Sequence, residues 1–90
     1  MIVVRFYAWI KENLGFDKLT INTKLQTIQE LFLELKKILK EKSSVLFDND
    51  QIKRGIMIGI NNKLVRLEKP ENIRLNEDDV VDIMPLGSGG

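Results

Sequence analysis

Few side chains in this sequence can carry chemistry. The chain has neither cysteine nor histidine. Their absence excludes a thiolate nucleophile, a thiolate or imidazole metal ligand and an imidazole general base near neutral pH. Carboxylates and lysines remain. Within "NEDD", Asp78 and Asp79 have the chemistry to chelate Ca²⁺ or Mg²⁺, but acids ahead of a strand more commonly form and solubilise a turn. No metal site is expected. Lys36, Lys37, Lys40 and Lys42 crowd one segment, either as a binding patch or, more ordinarily, as a solvated helix end. The remaining candidate is the main chain itself. The sequence closes on "MPLGSGG", which holds three of its six glycines and ends in Gly89 and Gly90 with a terminal carboxylate. Either this is an end with no task, or the lack of side chains is the task.

Ninety residues with 43% apolar content suffice for one small core, near the lower limit of unassisted folding. Without cysteine, no disulfide supports it. The formal charge of +1, with acids and bases interspersed, argues against a nucleic-acid footprint. No apolar run approaches the ~20 residues of a membrane span, and the N-terminus lacks a signal-peptide layout. The expectation is a soluble cytoplasmic protein with no nucleic-acid or membrane partner.

"IVVRFYAW" (2–9) is β-branched and aromatic without a breaker, so it reads as a strand, with Tyr7 and Trp9 on its outer face. Residues 10–14 are compatible with a helical turn. Gly15 signals a turn, and Phe16, Leu19 and Ile21 continue an antiparallel partner. Residues 27–42 place Ile28, Leu31, Phe32, Leu35, Ile38 and Leu39 on one helical face. Thr27 and Glu30 form a capping box at its start, and the lysines complement the dipole at its end. Residues 43–55 read as a mixed connection with Val45, Leu46 and Phe47 tucked under it. "IMIGINNKLV" is a hairpin turning at Asn61 and Asn62, and "VVDIMPL" (80–86) is a last strand stopped near Pro85. This order defines an α+β fold, one main helix packed across a small mixed sheet. Its first and last strands can lie parallel at the centre, so residues 1–85 form the domain and 86–90 a Gly-rich tail leaving a buried strand.

With its opening hairpin, "TIQEL", "GINNKLV", "LNEDDVVDIMP" and "GSGG" in this order, the whole chain resembles the β-grasp, ubiquitin-like sulfur carriers. It is most similar to the small subunit of molybdopterin synthase in its archaeal form; the thiamine-pathway sulfur carrier and ubiquitin share the fold and the Gly-Gly end. The sequence departs from the family in three places. Pro85-Leu86 stands where two prolines are frequent, Gly87 where a bulkier residue is usual, and Asp78 where the acidic turn often has glycine.

The resemblance implies that an ATP-dependent activating enzyme of the ubiquitin type adenylates Gly90. A sulfur donor protein then converts the end to a thiocarboxylate, and the large synthase subunit receives the sulfur. The chain is then a non-catalytic carrier that binds no cofactor itself, ATP being used by the partner. A tail of Gly87, Ser88 and Gly89 suits threading into a narrow channel, since backbone passes where side chains would clash.

Strand parity proposes where the partner docks. With Val81, Ile83, Ile58 and Ile60 facing the helix, Val80, Asp82, Met84, Met57 and Gly59 face away. Tyr7, Met57, Met84 and Leu86 would then form an apolar patch beside the tail exit; alternatively, some of them cover a secondary core beneath 43–55. Two other functions compete with sulfur carriage. One is a ubiquitin-like modifier joined to lysines through Gly90, and the other is a plain β-grasp binding domain with an idle tail.

Overall fold

The computed structural model describes residues 1–86. The expectations for Gly87, Ser88, Gly89 and Gly90 lie outside these described residues. Strand β1 (Ile2–Phe6) is followed by a short helix α1 (Ala8–Leu14), strand β2 (Lys18–Ile21) and the main helix α2 (Ile28–Leu39). A 3₁₀ segment (Lys40–Val45) leads into two short strands, β3 (Phe47–Asp48) and β4 (Gln51–Ile52). The hairpin β5 (Ile56–Ile60) and β6 (Lys63–Val65) comes next, and after a 3₁₀ turn at Pro70–Asn72 the final strand is β7 (Val80–Pro85).

The main sheet has the order β2-β1-β7-β5-β6, with β1 and β7 parallel and the other neighbours antiparallel. The mixed sheet and its single main helix are as the sequence implies, with first and last strands adjacent at the centre. Ile2, Val4 and Phe6 of β1, Ile56 and Ile58 of β5, and Val81 and Ile83 of β7 are buried in one cluster with Ile28, Leu31, Phe32, Leu35 and Leu39 of α2. Leu46 and Phe47 join the same core, together with Ile10, Leu14, Ile21, Leu25 and Leu75. Phe47 meets Phe32 edge-on at 5.3 Å between ring centres, a favourable aromatic geometry.

The start of α2 follows its capping signature with one difference. The Thr27 hydroxyl accepts the Glu30 N–H at 3.2 Å, but the Glu30 carboxylate reaches back to the Gln26 N–H, at 2.8 Å, one residue before the cap. Two expectations are corrected. First, β1 ends at Phe6; Ala8 turns into the left-handed region (φ 54°) and starts α1. Tyr7 is thus a helix cap and Trp9 a helical residue, because Ile10 and Leu14 gain burial only if the chain leaves the strand there. Second, α2 stops at Leu39 rather than Lys42, as Lys40 takes φ 55°. Ile38, expected on the apolar face, is 40% exposed. The last strand ends at Pro85, where the sequence places its stop.

Three of the four lysines of this region have local partners. Lys36 pairs with Asp50 at 3.2 Å and lies 5.1 Å from the centre of the Phe47 ring. Lys37 lies 3.7 Å from Glu34, and Lys42 donates to the Leu14 carbonyl at 3.0 Å, closing the C-terminal end of α1. The solvated-end reading accounts for them.

Candidate functional site: the strand exit and the outer sheet face

Strand β7 is central because its sequence is apolar on both faces of the pleat apart from Asp82. Val81 and Ile83 are fully buried against the helix side. On the outer side, Met84 lies directly opposite Met57 in the β5–β7 register, and Asp82 opposite Gly59. A Cβ added at Gly59 would stand 3.5 Å from the Met84 methyl carbon, so the Met84 side chain lies over this glycine. Phe6 pairs with Ile83, which brings Tyr7 level with Met84. The Leu86 N–H donates to the Gly55 carbonyl, tying the chain to the sheet at the point where it leaves. Leu86 itself is 63% exposed.

Of the residues proposed for docking, Met57 and Met84 are thus cross-strand neighbours, half-buried on the outer face, and Leu86 is exposed just past the strand. Tyr7 reaches this face by a different route from the one expected. It is no longer in β1, yet its hydroxyl donates to Asp82 Oδ1 at 2.9 Å. Residues 43–55 do not turn these positions into a second core: Leu46 and Phe47 belong to the helix-side cluster instead.

A polar cluster missed in the sequence completes the face. Arg5 Nε donates to Asp82 Oδ1 at 2.6 Å and its terminal nitrogen to Oδ2 at 3.0 Å, a bidentate, charge-assisted pair. The cause is register, since Arg5 and Asp82 are direct partners in the parallel β1–β7 pair. Arg5 holds the buried Asp82 carboxyl below the ordinary carboxylate range, chiefly through these hydrogen bonds; burial opposes this and the Tyr7 hydroxyl adds to it. The Tyr7 hydroxyl is pushed up, first by desolvation and then by its bond to Asp82. The signal was available, because parity puts Arg5 outward on β1 and Asp82 outward on β7. Pairing those strands in parallel puts both charges on one face, and the register then sets them opposite each other.

The "NEDD" acids are structural. Asp79 is buried and accepts from the Asn61 amide at 2.9 Å and the Asn76 N–H at 2.8 Å. Asn61 in turn accepts the Val80 N–H at 2.9 Å. This lattice ties the β5–β6 turn, where Asn61 and Asn62 have φ 50° and 72°, to the start of β7. Asp78 is exposed at φ 66°, 3.7 Å from the N-terminal amine. Among the described residues no cluster of acids could hold a metal ion, and no helix is long and apolar enough to cross a membrane.

What the arrangement offers is a firmly held central strand with an open half-apolar face beside its exit at Leu86. This combination defines a β-grasp, ubiquitin-like protein, and the comparisons with known proteins agree. The sequence profile of the ThiS family matches residues 4–90, so the chain belongs to that family. Among solved structures, Urm1 of Sulfolobus solfataricus is 30% identical, with 93% of this chain and 99% of that one covered and a TM-score of 0.67. SAMP1 of Haloferax volcanii is 18% identical over 99% and 98% of the two chains, TM-score 0.79. A Pyrococcus furiosus protein assigned as subunit 1 of a molybdopterin converting factor is 23% identical over 94% and 95%, TM-score 0.69. No curated protein matches the sequence. The chain is a small ubiquitin-like protein of the sulfur-carrier and modifier class.

Proposed function

We propose that the chain carries sulfur as a thiocarboxylate on Gly90 and serves as the small subunit of molybdopterin synthase. The observation that supports this reading most is the anchoring of β7. A strand paired on both sides, and tied at its end by the Leu86–Gly55 hydrogen bond, delivers a tail that falls within the family match to residue 90. From Leu86 to Gly90 an extended chain reaches ~17 Å, enough to place a carboxylate deep inside a partner.

The chemistry then follows from the poor electrophilicity of a carboxylate. A Gly90 carboxylate oxygen attacks the α-phosphorus of ATP on the activating enzyme and pyrophosphate leaves. A sulfur nucleophile attacks the resulting acyl carbon and AMP leaves. The acyl adenylate must be kept from water, which requires a closed channel and hence a tail without bulk. Ordering the tail costs on the order of 1–2 kcal/mol per residue, so the outer face around Met57 and Met84 has to contribute the holding contacts. Methionine suits a surface that meets more than one partner: here the activating enzyme and the large synthase subunit.

A second reading is favoured by the likeness to Urm1 and to SAMP1, a small archaeal modifier protein. In it, a lysine amine displaces AMP and an isopeptide bond forms through the same Gly90. Both readings need the same first step. The test is ATP–pyrophosphate exchange by the activating enzyme of the same cell. The intact protein should support exchange, and removal of Gly90 should abolish it. Undiminished exchange without Gly90 would rule out both readings in favour of an idle tail.

A further inference from the structure

We infer that the Met57–Met84 pair on the outer sheet face is an oxidation site, where a peroxide converts the thioethers to sulfoxides and closes the face to the activating enzyme until a thiol-dependent reductase restores it. The inference rests on the docking role proposed above and adds to it a means of regulation.

Where the sulfur lies comes first. The chain has three methionines and no cysteine, so thioethers are its only sulfur groups and no thiol of its own competes for an oxidant. The core of the described residues is built from isoleucine, leucine, valine and phenylalanine alone. Methionine as a gap-filler would sit there. Instead, apart from Met1, the two methionines stand directly opposite each other in the β5–β7 register, half-buried on the face turned away from the helix. Geometry comes second. The Met84 methyl carbon lies 3.5 Å from where a Gly59 Cβ would stand, and its sulfur is one bond away. The thioether is therefore laid over a residue that has no side chain to shield it. Leu64, opposite Gly59 on its other side, is exposed on the same face.

Chemistry comes third. The sulfur lone pair attacks one oxygen of hydrogen peroxide, the O–O bond breaks, an S–O bond forms and water leaves; sulfur loses the two electrons that the peroxide gains. Two thiols reverse the step, removing the oxygen as water and leaving a disulfide. A sulfoxide oxygen is a strong acceptor, but the Tyr7 hydroxyl and two Arg5 N–H groups on this face are committed to Asp82. The new oxygen therefore relies on water. A partner surface fitted to a thioether strips that water without replacing it, and docking is penalised. The core on the other side of the sheet is untouched.

The test treats the folded protein with hydrogen peroxide, removes the oxidant and locates the change by peptide mass mapping. The treated sample is then compared with its own untreated sample in ATP–pyrophosphate exchange by the activating enzyme of the same cell. Met57 and Met84 should each gain one oxygen while the circular dichroism melt stays close to that of the untreated protein. KM should rise on the order of tenfold, and methionine sulfoxide reductases with a dithiol should bring it back. The double variant Met57→Leu, Met84→Leu keeps Met1 and Trp9, and peroxide should not move its KM from its own untreated value. The inference is overturned if the two sulfurs resist peroxide until the protein unfolds, or if their oxidation collapses the melt. It is equally overturned if the oxidised parent keeps its untreated KM, or if the double variant responds as the parent does. In each of these cases the carrier reading stands. If the untreated parent supports no exchange, the carrier reading itself fails and takes this inference with it.

Discussion

Ile83 and Met84 are adjacent in β7 and point to opposite faces, so truncating each in turn separates the core from the proposed docking surface. Ile83 is fully buried, and Ile→Ala at such a site costs about 2–5 kcal/mol through lost transfer energy and the cavity left behind. A 90-residue domain has a stability on the order of 5–13 kcal/mol at ~0.05–0.15 kcal/mol per residue, so this is a large share. Met84 is half-buried, opposite Met57 and over Gly59. A cross-strand pair of this kind contributes roughly 0.2–1 kcal/mol. Urea unfolding followed by far-ultraviolet circular dichroism reads the difference. With a slope of about 1–3 kcal/mol per molar urea, Ile83→Ala should lower the midpoint by on the order of 1–2 M, and Met84→Ala by a small fraction of that. In pyrophosphate exchange the ranking reverses: Met84→Ala raises KM, whereas folded Ile83→Ala protein behaves like the parent. If Met84→Ala proves as destabilising as Ile83→Ala, the outer face is core rather than open surface.

Acidification should release the stabilisation that Asp82 contributes. Its folded carboxyl titrates below the unfolded one, so this share is present above the ordinary carboxylate range and is lost as pH falls through the depressed value. Asp82→Asn should flatten that part of the stability curve, on the acid side of the ordinary carboxylate value of about 4. At the alkaline end Tyr7 works in the opposite sense. Its raised hydroxyl favours the fold below the unfolded value of ~10, and that share is lost as pH climbs through the folded one, which ultraviolet titration of Tyr7→Phe against the parent would isolate. Asp79→Ala should destabilise by roughly 1–3 kcal/mol by stripping buried partners from the Asn61 amide and the Asn76 N–H, and added Ca²⁺ or Mg²⁺ should shift the melting of neither protein. Asp78→Gly should stabilise by about 1 kcal/mol, because glycine adopts the left-handed backbone at this exposed turn without a Cβ penalty.

The parts of the fold visible in the sequence are those governed by a single local period. Ile28 through Leu35 repeat at helical spacing and bury as a face; the alternation in 80–84 and 56–60 sorts core from surface, and Asn61 and Asn62 mark their turn. Prediction failed where two signals competed. Residues 7–9 have strand chemistry, but burying Ile10 and Leu14 outweighs that propensity and turns the chain at Ala8. Ile38 fits the helical period, yet α2 gives way at Lys40 just beyond it, leaving no core above it. The Arg5–Asp82–Tyr7 cluster depends on a pairing between residues 77 apart, which no local pattern encodes. Parity alone did bring Met57 and Met84 to one face, and the order of the elements identified the strand that precedes the tail.

The central claim is that the working group of this protein is the carboxyl end at Gly90. The most direct test is the intact mass of the protein isolated from its own cell under conditions that preserve thioacids. The account predicts a population heavier by the difference between one sulfur and one oxygen atom, with fragment ions placing the change on Gly90. Finding only the unmodified carboxylate, in cells actively making the pterin cofactor, would contradict it.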